Sequence, residues 1–304
     1  MEALLEASVR LAAPLLIAAL GELWVERSGV VNIGIEGTML SGAFAGFAAA
    51  VATGSPAVGL VAAAAAGCGV GILFATFAVV RKLDQIVVGM AVNLIALGAT
   101  GLGARALYAG NPPAAPTLAA LPVPGLAELP LLGPALFAQT PFVYAALGLA
   151  VVVGLGLSRT GAGLRLRAVG ESARAADAEG IAVDRVRFRA VIAGSALAGV
   201  AGAVLTLSHS DVFTEGMTAG RGFIALAVVI FGRWSAGGVV GAALFFGAAT
   251  ALQFRLQARG AEIPYPVFLM FPYLVTLTVL AVAGGRARAP ADLGRPYRRE
   301  APAG

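Results

Sequence analysis

The chain carries one histidine, His209, and one cysteine, Cys68, and neither has a neighbour at metal-ligand or nucleophile–base spacing. A catalytic set and a bound metal are not expected, and one cysteine cannot build a disulfide framework. No GxxxxGK[ST] run occurs, so nucleotide energy would have to enter through another chain. The polar group most in need of an explanation is Glu36, in a stretch apolar from Ile33 onward except for Thr38 and Ser41. A charge near the centre of a membrane helix costs about 2.5–3.5 kcal/mol on insertion scales, so such a residue normally faces a cavity or a partner. Two readings stand. Glu36 and Asn32 line a translocation path or pin a broken helix, or Glu36 lies at the cytoplasmic interface, bonded to a neighbouring helix or paired with Arg27. Asn93 is a third candidate for the path, although it reads more as glue between helices. Asp211 and Glu215, in HSDVFTEGMTAGR (209–221), suit an outer gate or a contact for a delivery protein; a solvated turn is the alternative.

The elements that must position these residues are membrane helices. Of 304 residues, 59% are hydrophobic and 12% charged, about half the roughly 25% charge of a soluble domain. A bilayer core about 30 Å thick needs about 20 apolar helical residues. Nine runs qualify as candidates: 7–22, 30–52, 56–80, 86–108, 141–157, 189–208, 221–232, 238–254 and 264–284. The expected fold is an all-α polytopic membrane protein of about eight or nine spans, forming a single domain over 1–304. Two runs predict broken or re-entrant helices: 221–232 is short and bracketed by glycines, and 30–52 opens on polar Asn32. Glu2 and Glu6 stand where a secretory signal would be basic, so the first run reads as a retained helix. The 41 glycines suit close helix packing, and Gly42 with Gly46, Gly67 with Gly71 and Gly237 with Gly241 have GxxxG spacing. In so glycine-rich a chain that spacing supports packing and nothing more specific.

The net charge of +5 does not point to nucleic acid, because the basic residues sit between apolar runs instead of forming one stripe. Twelve of the 21 Lys and Arg fall in two stretches, 159–189 and 286–299, which the positive-inside rule places in the cytoplasm. The Pro-rich loop 109–140 then lies outside as a compact cap or partner surface, with the N-terminus also external. The basic tail 285–304 is expected to be a disordered cytoplasmic end. The loop 158–188 holds a helix-competent stretch from Glu171 to Glu179 that ends at Gly180. Its small apolar face, Ala173, Ala176 and Ile181, suits docking into a groove on a partner; an interfacial helix lying on anionic lipid is the other reading.

Two separated motifs carry a resemblance. GELWVERSGVVNIGIEGTMLSGAFAGF (21–47) resembles the N-terminal signature of nucleoside-type ABC-importer permeases, within the branched-chain amino acid and ribose permease superfamily. GLRLRAVGESARAADAEGIAVDRVR (163–187) resembles that family's cytoplasmic coupling loop, and AGSALAGVAGAVLTL (193–207) the helix after it. The resemblance implies a type II importer permease in a prokaryotic plasma membrane, forming half a pore with a second permease, a paralogue or a copy of itself. It implies two cytoplasmic ATPase subunits that carry ATP and Mg, an extracytoplasmic solute-binding lipoprotein, and no cofactor in this chain. Glu171, Arg174, Ala175, Ala176, Asp177 and Gly180 carry over as coupling-loop positions. Nucleosides are the solute the resemblance favours, with sugars or branched-chain amino acids as alternatives. The chain is shorter at its N-terminus than the ribose-type pattern, which implies one leading helix fewer. From another class, a proton-coupled secondary transporter using Glu36 would fit the broken helices, and a non-transporting membrane scaffold is the third reading.

Overall fold

The computed structural model describes residues 2–109, 111–130, 133–258, 270, 274 and 289–298. The long helices are α1 (Glu2–Glu26), α2 (Ile35–Thr53), α3 (Pro56–Val80), α4 (Gln85–Tyr108), α5 (Pro141–Arg159), α8 (Val183–Ser210) and α10 (Ala236–Ala258). All seven are long and apolar enough to cross a membrane. Between them lie α6 (Gly161–Glu171), α7 (Ala173–Ala178) and the short α9 (Arg221–Phe231). Among the described residues there is no β-strand. The candidate run 264–284 falls, apart from Met270 and Leu274, outside the described residues.

Local chemistry sets several helix starts. Pro56 and Pro141 occupy the first turns of α3 and α5, where a missing N–H is no loss. The Asp84 carboxylate accepts the amide hydrogens of Ile86 (2.9 Å) and Val87 (3.0 Å) to start α4. The expected run 30–52 is helical only from Ile35; its first residues form an unwound corner between α1 and α2, held from outside by Gln85, whose Oε1 accepts Val31 N–H at 2.8 Å. The short run 221–232 is the 11-residue helix α9, flanked by Gly220 and Gly232 as its caps.

Helix α1 packs against α8, α10, α9 and α5, while α2 packs against α3, α8 and α4. Glycine makes the closest crossings. The Gly42 backbone lies on that of Gly199, and Gly67 lies on Ser195 and Gly199, so α2, α3 and α8 meet backbone to backbone. Gly237 and Gly241 face open space; of the three GxxxG spacings, two are used and one is not. In the cap, Leu121 N–H donates to Gln139 O (2.9 Å), Val123 N–H to Phe137 O (2.7 Å) and Leu118 N–H to Leu207 O (3.2 Å). The seven prolines of 109–140 leave one short π turn, Gly133–Phe137, as its only helical element among the described residues.

The expectation of a disordered C-terminal tail is corrected for residues 289–298. Asp292 N–H donates to Gly170 O (2.9 Å), and Gly294 N–H donates to Gly29 O (3.0 Å). Tyr297 packs against the buried cluster Val169, Ala173, Ala176 and Val183. A polar composition suggested disorder, but these backbone groups find fixed partners on the bundle, which composition does not reveal.

Candidate functional site

At the base of the bundle, the loop 158–188 folds as two helices where one stretch from Glu171 to Glu179 was expected. Glu171 ends α6 and does not begin the next helix. Ser172 is extended (φ −156°, ψ 99°), and its Oγ accepts Ala175 N–H at 3.2 Å to cap α7. The far end of α7 closes as a Schellman turn: Gly180 N–H bonds Asp177 O (2.9 Å) and Ile181 N–H bonds Ala176 O (3.0 Å), with Gly180 at φ +80°. The apolar face of α7 is not offered to another chain. Ala173 and Ala176 are buried against Val169 and Val183 of this chain. What faces outward is Glu171, Arg174, Ala175, Ala178, Glu179 and Gly180, with Asp177 half-buried.

Deeper in the bundle, α9 is held at both ends. The Glu36 carboxylate accepts Gly220 N–H on Oε1 (2.8 Å) and Gly222 N–H on Oε2 (2.7 Å), a charge-assisted pair at a helix N-terminus. At the other end, Trp234 Nε1–H donates to Glu26 Oε2 (2.5 Å), and Arg27 Nε donates to Trp234 O (2.9 Å). Glu36 is thus hydrogen-bonded to the head of the neighbouring short helix; the pairing with Arg27 is not made, because Arg27 Nε donates to Trp234 O at the foot of α9. Asn93 bridges α4 to the start of α2, its Nδ2 donating to Ile33 O (3.0 Å) and its Oδ1 accepting Gly37 N–H (2.8 Å). Asn32 is buried. Its N–H donates to Glu22 Oε1 (2.9 Å) and its Nδ2 to Ser195 Oγ (3.4 Å). The three candidate path residues lie at the α1–α2 corner and the head of α9, where Glu36 and Asn93 hold backbone groups while the Asn32 side chain reaches the Ser195 hydroxyl.

Sequence reasoning missed Glu22 and Glu26, only 1% and 2% exposed. The signal was present: two carboxylates four residues apart at the end of an apolar run share one helix face. It also missed Arg187, counted as one of the cytoplasmic charges. Arg187 is buried and donates from Nε to Ser28 O (3.1 Å) and from Nη1 to Arg295 O (2.8 Å).

At the other end, Asp211 and Glu215 are tied down rather than loose. Asp211 O accepts Ala115 N–H from the cap (2.7 Å). Arg105 forks onto Glu215, Nε to Oε1 and Nη2 to Oε2, both at 2.7 Å. The Arg105 hydrogen bonds and charge hold the Glu215 carboxyl below the usual carboxylate range. With the folded value depressed, the pair's contribution is complete above the ordinary carboxylate pKa and is lost as pH falls through the lowered one. Both side chains are exposed, so salt should also weaken the pair. Arg105→Gln at neutral pH and the unaltered protein at acid pH should both show faster proteolysis within 211–220. Cleavage that is indifferent to both changes would mean the pair does not secure this segment.

Among the described residues, no group of three or more His, Cys, Asp or Glu could hold a metal ion. Residues 4–280 match the family model described as branched-chain amino acid transport system, permease component. The chain belongs to this family. As a permease of that family, with seven apolar helices of spanning length, it is a multi-pass membrane protein whose role is that of a pore component. It is 38% identical to the guanosine ABC transporter permease protein NupQ of Bacillus subtilis, over 94% of this chain and 93% of the relative. A putative glucose ABC transporter permease protein of Haloferax volcanii, TsgC13, is 36% identical over 98% of both chains. The nucleoside ABC transporter permease protein NupC of Lactococcus lactis is 34% identical over 93% of both. No solved structure matches the permease chain.

Proposed function

We propose that this permease is the membrane subunit of an ATP-driven, binding-protein-dependent importer of nucleosides in the plasma membrane of a prokaryote. The observation that carries the reading is similarity over nearly the whole chain to permeases named for guanosine and for nucleosides. On this reading ATP and Mg are bound by two cytoplasmic ATPase subunits, and this chain contributes no nucleotide site and no cofactor. A second permease completes the pore, and a lipoprotein outside delivers the solute. The outward face of α7, with Arg174, Ala175 and Asp177, is the contact through which ATP-driven closure acts, and Gly180 ends that helix. Ala176 shapes the contact from behind, since its side chain is buried in this chain.

The proton-coupled alternative finds little support in the geometry of Glu36. Both carboxylate oxygens already accept backbone amide hydrogens, and a protonated carboxyl would have to give up one of them.

The test is uptake of labelled guanosine by vesicles holding the permease pair, the ATPases and the binding lipoprotein, with glucose and leucine as competitors. Uptake should require ATP and should be blocked by unlabelled nucleoside but not by the other two solutes. Transport that runs on a proton gradient without ATPase would sink the reading. A sharper probe is Ala175→Arg, which changes the exposed face of α7 without entering its core. It should reduce ATPase co-purification by about tenfold, the scale of a disrupted contact centre, with thermal stability of the permease unchanged. Normal co-purification would remove α7 from the contact.

A further inference from the structure

Residues 289–298 form a strap across the base of the bundle, fastened to α6, α7, α8 and the α1–α2 corner. Asp292 closes the joint between α6 and α7 from both sides: its N–H donates to Gly170 O (2.9 Å), and its carboxylate accepts Ala173 N–H (2.7 Å). Gly294 N–H reaches Gly29 O (3.0 Å) in the corner between α1 and α2. Arg187, at the foot of α8, donates to Arg295 O and to Ser28 O, and so ties the strap and the corner together. Tyr297 packs against the buried cluster of Val169, Ala173, Ala176 and Val183, to which α7 contributes the two alanines. Beside these contacts an open cleft of about 560 Å³ is lined by Arg174 and Asp177 of α7 and Arg298 of the strap. Asp292 and Tyr297 are two of the points of attachment.

The corner the strap reaches also holds α9. Glu26 and Arg27, just before the corner, grip Trp234 at the foot of α9, and Glu22 fixes Asn32 within it. A continuous set of hydrogen bonds therefore runs from α7 through Asp292 and Gly294 to the α1–α2 corner, and from there to the half-length helix. Chains of packed and hydrogen-bonded groups of this kind carry coupling between distant sites when they join elements that move as units. We propose that the strap is part of the coupling element: it makes α7 and the α1–α2 corner move as one body, so that a stroke delivered to α7 reaches α9. Asp292 is a positioning residue in this arrangement. The inference rests on the reading of α7 as the ATPase contact.

The experiment compares the wild-type complex with Asp292→Ala, Asp292→Asn and Tyr297→Ala in vesicles with ATPases and binding lipoprotein. Three quantities are read for each: co-purified ATPase, ATP hydrolysis, and solute imported per ATP hydrolysed. Asp292→Ala and Tyr297→Ala should keep their ATPase and go on hydrolysing ATP while import per ATP falls about tenfold, within the range of coupling energies between protein sites. Asp292→Asn retains an oxygen for Ala173 N–H and should recover most of the import. Wild-type import per ATP in both Asp292→Ala and Tyr297→Ala would overturn the proposal. So would a parallel loss of co-purification and import, because that marks the strap as a support for assembly alone. A wild-type complex that imports without ATP would instead overturn the reading of α7, a result separable from the first two because it appears before any substitution is made.

Discussion

Gly199→Val should sharply lower both the thermal midpoint and the yield of folded protein in the membrane. A side chain at Gly199 would run into the backbone of Ala63 and Gly67 on α3, while the backbone of Gly199 itself already fills the space beside Gly42 on α2. Three helices meet there with no flexible side chain to give way. Overpacking a core typically costs about 1–3 kcal/mol and occasionally more. With backbone on both sides the upper end is expected, against a total stability of about 5–15 kcal/mol. Yield of monodisperse protein and its thermal midpoint are the measurements. Gly241→Val on α10 is the control, because a side chain there meets open space, and it should leave both unchanged. A Gly199→Val protein that melts with the wild type would refute the close crossing of α2, α3 and α8.

Glu36→Ala should leave the protein folded and stop most transport. Its removal strips the acceptors from the amide hydrogens of Gly220 and Gly222 at the head of α9. A fully buried donor left unsatisfied costs about 1–3 kcal/mol; these two part-buried amides carry up to that each, concentrated on an 11-residue helix instead of spread through the bundle. Import should fall at least about tenfold, the effect of roughly 1.4 kcal/mol on a rate. Glu36→Gln offers one oxygen and turns an NH2 group toward the second amide, so it should resemble Ala more than Glu. Glu36→Asp keeps both acceptors on a shorter arm and should be intermediate. Import by Glu36→Ala at the wild-type rate would show that the head of α9 does not depend on this carboxylate.

Much of the architecture was legible in the sequence, for a local reason. The thickness of a bilayer sets the length of an apolar run, and seven of the nine runs are helices of spanning length, while 221–232 is a short helix between glycines as its length and flanks required. Gly180 marked the end of α7 because a Schellman turn needs a residue that tolerates positive φ. The break at Ser172 was equally local, a serine able to cap the next helix, yet it was hidden by a stretch of good helix formers from Glu171 to Glu179.

For Glu36 the sequence alone called for a cavity, a partner or a place at the interface, since the bilayer core supplies no hydrogen-bond donors. Which partner it takes was decided by the packing of α2 against α9, which brings together groups 184 and 186 residues apart. The same holds for Arg187, whose acceptors lie 159 and 108 residues away, and for the strap that its guanidinium helps to hold. Hydropathy, caps and glycine turns are properties of neighbours along the chain. Hydrogen-bond partners across a bundle depend on which helix faces abut, and no short stretch of sequence contains that information.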